Sequence, residues 1–226
     1  MKNKHLLIIF LLFISCKKEI KEIEITQEFN KIEEIEINIP KLEKWKECKD
    51  SSLVKNWIER TSLDSLTKHY AVYLSNKTDL KKFETDENIL QDFAIVYIRK
   101  QEQKLKINQN DLDRIFNTHI RLTETKKAKI KDALENIYIN ENYLEPNKFL
   151  LLEDYKINNN CKTAVLLMKQ YVNNPKYVTI IILNWLNIKN HLFYSSYYLE
   201  LNGEKSIEIA KENNRKIVTE LMNLNK

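Results

Sequence analysis

The chain has 226 residues, with 37 basic and 32 acidic side chains, a net charge of +5 and a single glycine, Gly203. Charges of both signs are mixed along the chain, which is typical of solvated surfaces and leaves no electrostatic footprint for nucleic acid. Glycine-rich phosphate loops, the dinucleotide-binding fingerprint and the nucleophile elbow need backbone that turns with positive φ or closely approaches a ligand. One glycine therefore excludes these three kinds of site.

The first fifteen residues have the layout of a secretory signal. Lys2 and Lys4 belong to a short basic head, and the nine residues from Leu6 to Ile14 are all apolar. Nine residues of helix span about 13 Å, far less than a bilayer core of about 30 Å, so this run cannot cross a membrane. We therefore expect residues 1–15 to be a signal peptide.

The residues that follow resemble the lipobox of bacterial lipoproteins. Ser15 and Cys16 match its small residue and its acylated cysteine, whereas Phe13 stands where the family usually has leucine. The resemblance implies that Cys16 carries fatty-acyl chains such as palmitate and becomes the new N-terminus. Lysines follow Cys16. A lipoprotein retained in the inner membrane would have aspartate directly after the cysteine, and a surface-exposed lipoprotein would have an acidic cluster there. The resemblance thus favours an outer-membrane anchor on the periplasmic face. The alternative is a buried N-terminal helix or strand with an incidental cysteine.

Residues 16–40 are expected to hold this anchor and a polar tether, because they alternate acidic, basic and isoleucine side chains without a turn signal before Pro40. Near the end of this stretch, Ile35, Ile37 and Ile39 alternate with polar residues. A period of two predicts a short half-buried strand, which could extend the edge of the main sheet.

Residues 41–226 are predicted to form a single α+β domain whose N-terminal half is helical. The first apolar stripe follows a cap at Asp50 or Ser51, the second follows Ser62, and the second stripe's tail could instead be extended. Further stripes follow the same period of a helix. The five predicted helices contain Leu53–Ile58, Leu63–Tyr73, Ile89–Tyr97, Leu112–Ile120 and Ile130–Ile137.

The pattern changes after Pro146, where stretches rich in β-branched, aliphatic and aromatic residues are separated by asparagine-rich breaks. We predict an antiparallel meander of four strands, followed after Gly203 by an amphipathic helix that covers one sheet face. The predicted strands are Phe149–Tyr155, Thr163–Tyr171, Tyr177–Leu186 and His191–Leu201.

The last two predicted strands are apolar on both faces. Either helices cover both faces, or one face offers an aromatic surface to a partner. The residues of that candidate binding face are Tyr177, Trp185, Tyr194 and Tyr198. Packing under helices would explain the same rings.

Cys48 and Cys161 are the only cysteines besides Cys16, and an exported chain meets an oxidising compartment. They could form a disulfide or remain two buried thiols. The sequence has no cysteine or histidine pair at zinc spacing, so we expect no metal and no cofactor. His69 and His191, like the third mature histidine, His119, are expected to be capped or surface side chains.

These observations favour a non-catalytic binding protein anchored to the envelope. Neutralisation of a toxin and assembly of an envelope complex would both fit this class, with a protein or a small molecule as the ligand. The alternative is a periplasmic hydrolase whose histidines and carboxylates converge only in three dimensions. A deep pocket with two histidines beside a carboxylate would favour the hydrolase, and a shallow aromatic face would favour binding.

Overall fold

The computed structural model describes residues 35–60, 66–77, 92–122, 126–140, 143–146, 148–171 and 176–226. Within these ranges, eight strands form one sheet in the order β1-β2-β3-β8-β7-β6-β5-β4. The strands are β1 Trp45–Glu47, β2 Thr67–Ser75, β3 Asp92–Arg99, β4 Lys126–Lys127, β5 Phe149–Asn158, β6 Cys161–Tyr171, β7 Lys176–Ile188 and β8 His191–Glu200. The helices are α1 Ser52–Arg60, α2 Gln109–Leu122, α3 Ile130–Ile139 and α4 Glu204–Leu224, with a 3-10 helix at Lys100–Glu102.

The sheet is antiparallel except where β4 runs parallel to β5. Strands β7 and β8 form the central hairpin, whose two-residue turn places Lys189 and Asn190 at φ values of 51° and 63°. A turn with both central residues at positive φ matches the twist of a hairpin, and asparagine tolerates that conformation better than most residues. The asparagine-rich break between the two predicted strands is therefore this turn.

Two hydrophobic cores lie on opposite faces of the sheet. Ile180 and Ile182 of β7 belong to the core that α3 and α4 cover, which we call the α4 face. Ile181 and Trp185 belong to the core that α1 and α2 cover, which we call the α2 face. Helices thus pack on both faces of the central hairpin, as in the first of the two arrangements expected from its apolar residues, while Leu183 and Tyr198 stay half-buried on the α2 face.

A buried polar network joins α4 to the middle of the sheet. The Asn184 and Asn214 side-chain amides exchange two hydrogen bonds of 2.7 and 3.1 Å, and the Thr163 hydroxyl donates to Asn184 Oδ1 at 2.9 Å. Both asparagines are 1% exposed or less. Because buried amides are costly without partners, this pairing fixes the position of α4 on β7.

The prediction of an edge strand at Ile35–Ile39 was wrong, since these residues belong to no strand. Their period of two is nevertheless present in the burial, because the three isoleucines pack against the core of the α4 face while Glu36 and Asn38 are exposed. The Tyr70 hydroxyl donates to the Ile35 carbonyl at 2.9 Å, and this side-chain contact replaces a ladder of backbone hydrogen bonds. One edge of the sheet is formed by β1 and the other by β4.

The predicted α+β fold class, with a helical N-terminal half over a four-stranded meander, was also wrong. The second and third predicted helices coincide with β2 and β3, and β1 and β4 complete the eight strands. From Phe93 to Ile98, every residue of β3 is buried, because helices lie on both sides of the strand. A strand that is apolar at every position also satisfies the helical spacing, which explains the error. Ser62, Leu63, Ile89 and Leu90, which the predicted helices included, lie outside the described residues.

The other elements agree with the sequence. The first, fourth and fifth predicted helices overlap α1, α2 and α3, and all four predicted C-terminal strands overlap β5 to β8. The closing helix is α4, which buries Ile207, Ala210, Ile217, Val218 and Leu221 against the sheet as predicted, whereas Leu224, the last residue of the predicted apolar stripe, is 48% exposed. In the described part of the chain, we find no helix with the length and apolarity needed to cross a membrane.

Candidate functional site

A row of aromatic rings crosses the α2 face from β2 to α2. The ring centroids of His69 and Tyr97 lie 6.2 Å apart, and Tyr97 stacks on Tyr194 at 5.3 Å. Trp185 lies next in the row and meets Phe116 of α2 edge-on at 5.0 Å. Tyr194 is the cross-strand partner of both Tyr97 and Trp185, so the register of the sheet brings these rings together.

A second, shorter stack lies beside this row. Phe93 and Tyr198 are cross-strand partners whose rings are 4.4 Å apart and inclined by only 5°. Trp57 of α1 meets the Phe93 ring edge-on at 5.8 Å. Offset stacked and edge-on rings are the favoured geometries for aromatic pairs, so α1 is held to the sheet at this point.

A small cavity lies between the two stacks, and we call it the tyrosine pocket. Its volume is about 40 Å³, which is room for a few water molecules. Arg99, Phe149, Leu183 and Tyr198 are the half-buried members of its lining, so they form its accessible rim. Its described lining consists of Tyr97, Arg99, Phe149, Ile181, Leu183, Asn184, Trp185, Tyr194, Ser195, Ser196 and Tyr198.

One charged cluster borders the tyrosine pocket. Arg99 Nη1 lies 3.3 Å from Glu102 Oε1, and its guanidinium carbon lies 4.8 Å from the centroid of the Tyr194 ring. The Tyr194 hydroxyl donates to Glu102 Oε2 at 2.8 Å. Burial raises the pKa of Tyr194 well above its ordinary value, so the phenol stays neutral and serves as a hydrogen-bond donor.

His119 of α2 supports the same cluster from the helix side. The Trp185 indole N–H donates to His119 Nδ1 at 2.8 Å. An Nδ1 that accepts this bond carries no proton, so the neutral ring holds its proton on Nε2. Burial, and secondarily the positive charge of Arg99, lowers the pKa of His119 to about 4. The ring is therefore neutral at physiological pH and serves as a fixed acceptor.

The structure brings three of the four predicted binding-face residues to the α2 face. Trp185 and Tyr194 are each 3% exposed and lie beneath α2, whereas Tyr198 is half-buried at the rim of the tyrosine pocket. Tyr177 lies in β7, but its side chain is outside the described residues. Of the predicted face, Tyr198 alone is described and accessible to a partner.

Cys48 and Cys161 are both free and buried in this structure. They belong to the cores of the α2 face and the α4 face respectively, so the sheet separates the two thiols. This placement matches the alternative of two buried thiols rather than a bridge. Burial raises the pKa of both, that of Cys161 to about 12, which makes them poor nucleophiles. Cys16 lies outside the described residues.

The three histidines in the described part of the chain lie apart from one another. His69 lies at the β2 end of the aromatic row, His119 lies at its α2 end, and His191 accepts a 2.6 Å hydrogen bond from Lys106 Nζ. In the described lining of the tyrosine pocket there is neither a histidine nor a carboxylate. The described ranges also contain no group of histidine, cysteine, aspartate and glutamate side chains that could hold a metal ion.

Arg99 and Glu102 are the residues of this region that the sequence reasoning missed. Arg99 is the last residue of β3, a strand that the helical spacing concealed, and Glu102 follows it. They contact Tyr194 across 95 and 92 positions of the chain respectively. The usable signal was the β-branched and aromatic run of residues 92–99.

No protein-family model, curated protein or solved structure matches the chain.

Proposed function

We propose that this chain is a lipid-anchored protein of the bacterial envelope that binds a protein partner at the rim of the tyrosine pocket and carries out no catalysis. The lipobox-like residues up to Cys16 support the anchor and the compartment. The half-buried aromatic rim on the α2 face is the observation that carries the binding role. Either a toxin to be neutralised or a subunit of an envelope complex would supply such a partner.

The pocket has the properties of a binding surface because its aromatic floor is rigid. Tyr97 and Tyr194 stack in its floor, and the hydrogen bond from Tyr194 to Glu102 fixes one ring. Rigid rings offer a large contact area with little loss of side-chain entropy on binding. The rim then offers apolar surface at Phe149, Leu183 and Tyr198, with the half-buried Arg99 side chain beside it.

The size of the pocket favours a side chain over a whole small molecule. Pockets for drug-sized ligands enclose about 300–1,000 Å³, whereas this cavity has about 40 Å³. The end of one apolar side chain from a protein partner is the ligand that fits such a depression. Ser195 and Ser196 lie in the lining, but a serine needs an adjacent base to act as a nucleophile, and the described lining has no histidine or carboxylate to serve as that base.

Site-specific photocrosslinking in the native envelope tests this proposal. A photoreactive residue at Leu183 should form a discrete adduct, whereas the same residue at Asn202, which is exposed in the β8–α4 connection, should not. Tyr198→Ala should reduce the Leu183 adduct, and Tyr138→Ala, which truncates an exposed ring on α3, should leave it unchanged. An adduct that is identical at both positions, or is insensitive to Tyr198→Ala, would contradict the proposed binding surface.

A further inference from the structure

The described chain begins at one particular end of the sheet. Ile35 accepts a hydrogen bond from Tyr70 near the start of β2, and Lys189 in the β7–β8 turn donates to the Glu36 carbonyl at 2.8 Å. The start of β2, the end of β3 and the β7–β8 turn lie together, because Thr67 pairs with Arg99 and β3 pairs with β8. We call this the tether end of the domain.

The C-terminus of α4 lies at the tether end as well. The Asn38 side chain donates to the Leu224 carbonyl at 3.1 Å, and the Asn225 side chain donates to the Asn38 carbonyl at 2.8 Å. Residues 35–38 are thus clamped between β2, the β7–β8 turn and the end of α4. Any pull or restraint on the preceding chain is transmitted to this end of the domain.

Five exposed lysines lie at the tether end. Three carboxylates lie near these lysines. Glu36 is exposed, Glu102 pairs with Arg99, and Asp113 of α2 pairs with two lysines of β5 and β6. The carboxylates therefore offset only part of the positive charge. The exposed lysines of the tether end are Lys100, Lys104, Lys106, Lys189 and Lys226.

The opposite end of the sheet also carries exposed charges of both signs. Near the start of β1, the end of β2, the start of β5 and the start of α4, the exposed lysines are Lys44, Lys46, Lys77, Lys126, Lys127, Lys148 and Lys205, and the exposed glutamates are Glu43, Glu47, Glu145, Glu204 and Glu208. Exposed apolar side chains occur at both ends, for example Leu105 at the tether end and Ile209 early in α4. Neither charge nor hydrophobicity therefore distinguishes the two ends, and what sets the tether end apart is that the preceding chain joins the domain there.

We propose that the tether end lies against the anionic phospholipid headgroups of the membrane in which the chain is anchored. This inference rests on the lipid anchor of the proposed function. The chain enters the described domain at residue 35, and the 19 residue steps from Cys16 to Ile35 can reach at most about 65 Å. The tether end is therefore the part of the domain that a lipid anchor holds within this distance of the bilayer. Tethering raises the effective concentration of this end at the membrane surface. Lysines within about one Debye length of an anionic membrane are attracted to it.

The orientation has a consequence for the binding surface. When the tether end faces the membrane, the strands run roughly perpendicular to the bilayer plane. The rim of the tyrosine pocket at Leu183 and Tyr198 then lies part-way along the sheet and opens parallel to the membrane surface. A partner in the adjacent compartment could then reach the pocket without displacing the domain from the bilayer.

Headgroup quenching on the lipidated full chain tests the proposed orientation. A fluorophore is attached to Gln101→Cys at the tether end or to Asn202→Cys at the opposite end, both exposed positions, while Cys48 and Cys161 are buried. Each protein is placed in lipid discs of phosphatidylcholine with or without phosphatidylglycerol, with a spin label on the headgroups. We expect strong quenching at residue 101 only in the anionic discs, reversed by high salt, and weak quenching at residue 202.

Charge removal at the two ends supplies a matched control. The triple variant K100Q/K104Q/K226Q should lower the ratio of docked to undocked domains on the order of a hundredfold, since each lysine near the surface contributes roughly fivefold. K44Q/K77Q/K205Q removes the same charge from the opposite end and should leave quenching at residue 101 unchanged.

The intact mass of each sample separates the two proposals. Acylated protein with equal quenching at residues 101 and 202, or with equal quenching in both kinds of disc, would overturn the orientation while the anchor stands. A mass without acyl chains would overturn both the anchor and the orientation. Salt dependence in the unsubstituted background decides the question if the triple variant folds poorly.

Discussion

Acidification should destabilise this protein through His119, the neutral imidazole that accepts the Trp185 N–H. The pKa of this side chain is about 4 in the folded state and about 6.5 in the unfolded state, so protons bind more tightly to the unfolded chain. The contribution of His119 to stability is fully present above pH 6.5. It falls as the pH drops and is lost by about pH 4.

The size of the effect follows from the two pKa values. A difference of about 2.5 pKa units corresponds to a limiting loss of about 3 kcal/mol, and about 2 kcal/mol of that loss is reached at pH 5. The physical cause is that a charged imidazole would lose solvation beneath the sheet, could not accept the Trp185 hydrogen bond, and would face Arg99. His119→Gln offers a neutral acceptor in its place and does not titrate.

Urea denaturation at pH 7 and pH 5, followed by tryptophan fluorescence, measures the effect. The unsubstituted protein should lose about 2 kcal/mol more unfolding free energy between the two pH values than His119→Gln. Taking the difference cancels the contributions of other groups, including His191, whose pKa is also lowered by burial and by Lys106. Equal losses in both proteins would refute the assignment of His119 as a buried neutral acceptor.

Three further outcomes follow from the described contacts. Arg99→Gln should raise the pKa of His119, because the substitution removes a nearby positive charge. An NMR titration of the imidazole would detect the change, and an unchanged pKa would refute the electrostatic coupling. Asn214→Ala should lower the unfolding free energy by about 2–3 kcal/mol, since it leaves the buried Asn184 amide without its partner, and a loss below about 0.5 kcal/mol in urea denaturation would contradict the network. Without reductant, Cys48 and Cys161 should resist a thiol reagent in the folded protein and both react after unfolding, whereas absent thiols after unfolding would indicate a bridge.

The sequence correctly predicted the elements whose apolar pattern fits only one type of secondary structure. In α4 the buried residues recur with helical period beside exposed lysine and glutamate, and β5 to β8 are bounded by asparagine-rich turns. Strand β3 has no polar alternation because it is buried on both faces, so its pattern also fits a helix. Two-residue β4 and three-residue β1 are too short to produce a pattern at all.

The candidate site was less predictable, because it depends on pairings between distant parts of the chain. The aromatic density of β7 and β8 pointed to the α2 face, and Tyr198 does lie at its accessible rim. The stack of Tyr97 on Tyr194, and the position of Arg99 over that ring, follow from the register between β3 and β8. Neither composition nor periodicity determines which strand lies beside β8 in the sheet.

Metabolic labelling with a palmitate analogue tests the central claim most directly, because the anchor places the protein in the envelope and orients the tether end. The account predicts that label enters the unsubstituted protein and is absent from Cys16→Ala, while Cys48→Ala, which removes a buried thiol, keeps it. Label that never enters the unsubstituted protein, or that enters Cys16→Ala to the same extent, would contradict the account.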